Sequence, residues 1–331
     1  MAQRNELREI PRLLQQFIHD DLPLIENNVR QWRLGEGSIF VVGEAHSRAP
    51  AMMAGYAFEV LLNRPVSARP APILAEYTLR SIEPRSPLVA ISRLGEDAEI
   101  LHVARLATTR GSAVWALTAA DQSSLAQMSQ AVIPVFHAEG CSSDAAWAIG
   151  AEVGALALPM VAARVFRKLS PSEQKAFDEF VRLPRLIENT ILGIQDAAGA
   201  FAQELRRFPT LFISGGGFYH PIARHAATEC RALGIRAQGV EMTHFSTSRA
   251  QETPSSSAVL LLSGSGCRLK KHVHAAARQA RAAGMEIFAI TDANDRDLVA
   301  QARSAMLLPQ LQELAGAILA LSVLQWMFAL G

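Results

Sequence analysis

A chain of 331 residues, half of them apolar and 19% charged, has room for two domains of ordinary size with large cores. A net charge of +1 excludes a bulk electrostatic case for nucleic acid or an anionic membrane surface. Cys141, Cys230 and Cys267 are odd in number and lack CxxC or metal-ligand spacing, which excludes a disulfide framework and points to a reducing, cytoplasmic compartment.

Residues 1–34 read as an N-terminal helical segment, with Leu13, Leu14, Phe17 and Ile18 on one stripe. It has no apolar run of signal-peptide type, so a secretory origin is not expected. A first domain, 35–207, follows. Its strands are SIFVVG at 38–43, a weak segment at PVSAR, PLVAIS at 87–92, SAVWALT at 112–118 and AVIPVF at 131–136. Helices are expected over 49–63, 72–82 and 95–110, the last ending at Gly111. A long helical extension covers 144–207, interrupted at SPSEQ, 170–174, where serine, proline and glutamate suit a helix start.

The second domain, 208–331, repeats the pattern. TLFISG at 210–215 answers SIFVVG, AVLLLS at 258–263 answers PLVAIS, and GMEIFAIT at 284–291 answers GSAVWALT at 111–118. From strand-end glycine to serine is 49 residues in one half and 48 in the other; from serine to threonine, 26 and 28. Matched order at matched spacing implies internal duplication. Continuous Val/Ile/Leu strands alternating with helices imply an α/β fold of two doubly wound parallel-sheet domains. Residues 314–331 are almost wholly apolar, which is expected of a core or dimer-interface helix rather than a membrane tail. With 150–169, it suggests a homodimer, because two such helices are too apolar to face water.

In such sheets ligands bind beyond the carboxyl ends of the strands. The loop SRLGED, 92–97, leads into a helix. Its backbone N–H groups, with Ser92 and Arg93, can hold an anion; equally, Ser92 and Asp97 can cap the helix. SGSG at 263–266 has the same two readings. SGGGFYH at 214–220 has neither the G-K-[ST] of a P-loop nor dinucleotide spacing, so it reads as structural and no cofactor is expected. His272 and His274 are two apart and His220 and His225 five apart, so no metal site is expected. His244, three residues after Glu241, lies in a loop near the second sheet's edge.

With a buried strand before S-x-x-G-E-x, the chain resembles the tandem sugar isomerase (SIS) domain family over about 35–325. That family includes the isomerase half of glutamine-dependent fructose-6-phosphate amidotransferase, phosphosugar deaminase/isomerases and fructosamine-6-phosphate deglycases. PLVAISRLGEDAEILHVARLATTRGSAVWALT looks like the first-domain core. LFISGGGFYHPIARHAATECRALGIRAQGVEMTHF looks like the second-domain entry, where relatives read G-R-G-x-x-Y-P-I-A and then E-x-x-H.

The resemblance implies a sugar-phosphate site at the first sheet's edge, completed across a homodimer interface. Carried over by position, the ligand residues are Ser47, Ser92, Arg93, Gly95, Glu96, Asp97, Ser142 and Ser143. His244 matches a ring-opening histidine, with Glu241 beside it. The usual proton-shuttling glutamate falls at Ala232, and His225 and Glu229 are nearby substitutes.

Leu94 and Asp97 stand where relatives carry serine and threonine, and Asp144 where many carry lysine. A carboxylate beside a phosphate is repulsive unless a cation such as Arg93 intervenes. The sequence shows no glutaminase domain before the repeats, so amidotransferase activity is not expected; a further departure is that the lysine-bearing tail that closes over the sugar in relatives is not found before Gly331. Three readings follow: a phosphosugar isomerase, deaminase or deglycase; a sensor that binds a sugar derivative without turnover; and an enzyme for an unphosphorylated ligand.

Overall fold

The computed structural model describes residues 2–32, 37–78, 86–136, 143–242 and 257–330. Two five-stranded sheets are present, and every strand pair in them is parallel. The first contains β1 (Ile39–Gly43), β2 (Val66–Ala68), β3 (Leu88–Ile91), β4 (Val114–Thr118) and β5 (Ala131–Pro134), ordered β2-β1-β3-β4-β5. The second contains β6 (Thr210–Gly215), β7 (Ala237–Gly239), β8 (Ser257–Leu262), β9 (Glu286–Asp292) and β10 (Ser304–Leu308), ordered β10-β9-β8-β6-β7. Numbered within each sheet, the order is 2-1-3-4-5 both times. The central runs IFVVG and SAVLLL are buried at every position, as parallel strands covered on both faces must be, whereas the edge strand VSA is only half-buried.

The repeat extends to backbone detail. A Cβ on Gly43 would lie 2.3 Å from the carbonyl oxygen of Ser47, and one on Gly215 would lie 2.6 Å from that of Tyr219. Each strand therefore ends on the residue type that lets the following turn fold back over it.

By packing, the chain forms two units, Arg12–Pro171 and Met1–Pro11 with Ser172–Gly331. The sequence reading draws the boundary at 207/208, whereas here the helices after 171 go with the second sheet. The first unit holds α2 (Leu22–Arg30), α3 (Arg48–Leu62), the short α4 (Ala71–Ile73), α5 (Ala98–Thr109), α6 (Ser124–Met128) and α7 (Asp144–Phe166); α1 (Ala2–Gln16) begins the chain. The expected helix over 72–82 is a single turn followed by a π turn, Leu74–Thr78; residues 79–85 lie outside the described residues. The helix expected from 95 starts at Ala98, because Asp97 accepts hydrogen bonds from the amides of Glu99 and Ile100 and thereby caps it.

The second unit holds α8 (Pro171–Val181), α9 (Leu183–Leu205), α10 (Tyr219–Ala232), α11 (Lys270–Ala282), α12 (Arg296–Gln301) and α13 (Glu313–Leu330). Helix α9 presents Leu183, Ile187, Ile191, Ala198 and Phe201 as a buried stripe, and the Phe201 ring meets Phe288 of β9 edge-on at 5.6 Å.

Helices α7 and α13 are long and apolar enough to cross a membrane, but 100% and 83% of their most apolar windows are buried in the folded chain. Helix α7 packs on α3 and α2, and α13 on α9 and α10. Their apolarity is satisfied within one copy, so it does not by itself call for a second.

Candidate functional site

In a 2-1-3-4-5 sheet the strand order switches between the first and third strands, where the outgoing loops diverge and leave a crevice. In the first unit Gly43 pairs with Ile91, so the loops after β1 and β3 begin side by side. Ser47 and Ser92 are both buried there, at 5% and 6% exposure. Ala45, two residues before Ser47 in the first loop, holds φ at 46°, a left-handed backbone uncommon for a residue with a side chain.

The loop 92–97 is ordered by its own side chains. The Gly95 amide donates to Ser92 Oγ at 3.2 Å, and the Ser124 amide donates to Glu96 Oε1 at 2.7 Å. That amide bond lowers the pKa of the Glu96 carboxyl. The Asp97 carboxylate points back along α5, each cap bond being 3.1 Å. The Arg93 carbonyl accepts from Thr118 Oγ1 and from the Ala119 amide, both at 3.1 Å. Its guanidinium pairs with Asp144 in the first turn of α7, and Ser143 caps that helix by accepting from the Ala146 amide at 3.3 Å. Leu94 is 68% exposed at the loop's tip. The structure thus gathers Ser47, Ser92, Arg93, Gly95, Glu96, Asp97 and Ser143 along one edge of one sheet. Ser142 lies outside the described residues.

The residues expected to move protons lie in the second unit. On α10, His225 and Glu229 are one turn apart, with Nε2 and Oε1 3.7 Å from each other and both side chains largely buried. From α13, the Gln325 amide reaches His225 Nε2 at 3.0 Å. The sequence reading passed over Gln325, although a glutamine inside an otherwise apolar run was the available signal. Glu241 follows β7 and is exposed; His244 lies outside the described residues. His220, which the sequence reading weighs only as a metal ligand, is buried in the first turn of α10, and its Nδ1 has no hydrogen-bond partner among the described residues. Burial lowers its pKa, Arg224 lowers it further, and Glu241 opposes both.

At the second sheet's own edge, Gly217 lies against an acid. Glu313, which opens α13, accepts from the Phe218 amide through Oε1 and from the Arg268 amide through Oε2, both at 3.3 Å. Asp292 Oδ2 accepts from the Ser265 amide at 2.5 Å. Buried His274 Nε2 lies 2.6 Å from Asp295 Oδ1.

This architecture defines an α/β protein with two doubly wound parallel sheets of the same strand order. Residues 35–152 match the family model described as "SIS domain". It is 25% identical over 193 residues to the glutamine–fructose-6-phosphate aminotransferase (isomerizing) of Rhizobium meliloti, a stretch covering 57% of this chain and 31% of that one. The chain spans about a third of the length of the curated relatives it matches. Among solved structures, the C-terminal domain of glucosamine-fructose-6-phosphate aminotransferase from Francisella tularensis superposes with a TM-score of 0.82. The match has 17% identity and covers 98% of this chain and 93% of that one. Tagatose-6-phosphate ketose/aldose isomerase from Escherichia coli gives 0.78 at 15% identity, covering 100% and 92%. At these identities the likeness establishes a shared fold across the whole chain.

Proposed function

We propose that this protein binds a sugar derivative and interconverts its aldose and ketose forms, in the manner of the phosphosugar isomerases it resembles. The observation that carries the reading is the buried His225–Glu229 pair, 3.7 Å apart, on the helix that contains the P-I-A segment. A base beside a carbonyl removes a proton from one carbon, leaving an enediol, and the proton returns to the neighbouring carbon. Glu229 with His225 is assigned that transfer, and His244 with Glu241 the opening of the sugar ring. Binding is assigned to Ser47, Ser92, Arg93, Gly95, Glu96, Asp97, Ser142 and Ser143. The family model over 35–152 and the whole-chain likeness to ketose/aldose isomerases support it.

A second reading has its own observation. Arg93 is paired with Asp144, and Asp97 stands at the head of α5. Two carboxylates near the loop's cation disfavour a phosphate dianion and favour an unphosphorylated sugar. A cytoplasmic homodimer belongs to the same proposal, and light scattering at micromolar concentration tests the dimer.

The test of function is deuterium wash-in. Fructose 6-phosphate, glucosamine 6-phosphate and their unphosphorylated counterparts are each incubated with the protein in D2O and followed by NMR at carbons 1 and 2. Exchange that disappears in Glu229→Gln supports catalysis. Thermal stabilisation by a sugar without exchange would reduce the protein to a sensor, and stabilisation by the unphosphorylated sugar alone selects the second reading.

A further inference from the structure

The two sheets repeat one topology, but their ligand edges are not in the same condition. At the first edge the second residue after the strand-ending glycine is Ala45, exposed at φ 46°. At the second edge the corresponding residue is Gly217 at φ 55°, and a Cβ there would lie 2.1 Å from Glu313 Oε1. The missing side chain is the space in which the carboxylate sits. The two oxygens of Glu313 each accept a backbone N–H, one from Phe218 at the head of α10 and one from Arg268 just before α11. Glu313 itself is only 7% exposed. An acid with its two oxygens shared between two helix-initiating turns of a parallel sheet's switch point occupies the place that such an edge offers to a ligand anion.

We infer that Glu313 is a built-in anion that closes the second sheet's ligand edge, so that an external anion has access to the first edge alone. Other features of the pocket agree. Cys267, in the same turn, has its thiol pushed up to about 12 by burial and by the adjacent Glu313, so it stays neutral and adds no competing charge at neutral pH. For Glu313 itself burial raises the pKa above its ordinary value, and the Arg268 and Phe218 amides offset part of that rise, as donors to a carboxylate do. Glycine at 217 admits the acid; no anchoring cation is needed, because the donors are main-chain amides.

Acetate rescue tests this. Glu313→Ala removes the carboxylate and the methylene before it, a volume that acetate restores. Thermal midpoints of wild type, Glu313→Ala and Glu313→Gln are measured in sodium acetate and in sodium chloride of equal ionic strength. Glu313→Ala is expected to melt below wild type and to regain about 2–4 °C in acetate over chloride. Wild type and Glu313→Gln, whose side chains still fill the pocket, should not respond to acetate. Equal midpoints of Glu313→Ala in the two salts would overturn the inference. So would an equal acetate response in wild type, since the site would then not be occupied. If Glu313→Ala does not fold in chloride, recovery on refolding in acetate supports the inference, and failure in both salts while Glu313→Gln folds refutes it.

Discussion

His225 of α10 and Gln325 of α13 meet 3.0 Å apart, imidazole Nε2 to amide Nε2, with both side chains buried. The Gln325 amide N–H donates there in the tautomer that carries its proton on Nδ1. Replacing Gln325 by leucine removes that donor from a buried acceptor and should cost about 1–3 kcal/mol in urea unfolding. It also lets His225 take up a proton toward Glu229. If this pair moves protons in turnover, the acid limb of the pH–rate profile will shift to higher pH in Gln325→Leu; an unmoved limb would remove Gln325 from the mechanism.

Arg93 and Asp144 form an ion pair in which the aspartate is 58% exposed, so stability should barely register its loss, by about 0–1 kcal/mol. Binding should register it strongly. Asp144→Asn releases the guanidinium and is expected to tighten a phosphorylated sugar about tenfold relative to its unphosphorylated counterpart, roughly 1.4 kcal/mol. Titration calorimetry with both sugars measures this, and an unchanged ratio would exclude Arg93 from phosphate recognition.

Asp97 separates capping from ligand repulsion. Asp97→Ala loses the acceptor for two amides of α5 and should destabilise the protein by about 1 kcal/mol. Asp97→Asn keeps the cap and removes the charge, so it should retain wild-type stability while favouring phosphorylated over plain sugar. Urea midpoints and the same calorimetric pair of ligands read both effects.

Glu152 lies in the middle of α7 at 1% exposure, with neither carboxylate oxygen hydrogen-bonded among the described residues. Burial pushes its pKa well above its ordinary 4.5. The folded chain therefore keeps this proton to higher pH than the unfolded chain does. Its contribution to stability is complete below 4.5 and is lost as pH rises through the raised folded value. Glu152→Gln should flatten that slope above pH 4.5, measured by urea unfolding at several pH values. Parallel slopes for the two proteins would mean that another group titrates.

Much of the fold was legible in the letters. PLVAIS and AVLLLS read as buried strands, because their runs of Val, Ile, Leu and Ala present no polar face. The glycines that end SIFVVG and TLFISG marked turns that later proved to pack against their own backbone. The site was less legible. Ser92, Arg93 and Asp97 were visible as a loop ahead of a helix, but capping and ligand binding place the same residue types there.

The sequence by itself determined the two-fold repeat, the parallel sheets and the edges from which the loops depart, because these follow from periodicity and spacing along the chain. Only the tertiary structure decided which charges meet. Asp144 is 51 residues from Arg93, Gln325 is 100 from His225, and Glu313 is 95 from Phe218. Such pairs depend on how helices dock on a sheet, and docking is driven by apolar area that carries no record of which polar atoms it will bring together. That is why the two edges, alike in strand order and spacing, ended with different chemistry: one bordered by an arginine and its aspartate, the other closed by the chain's own glutamate.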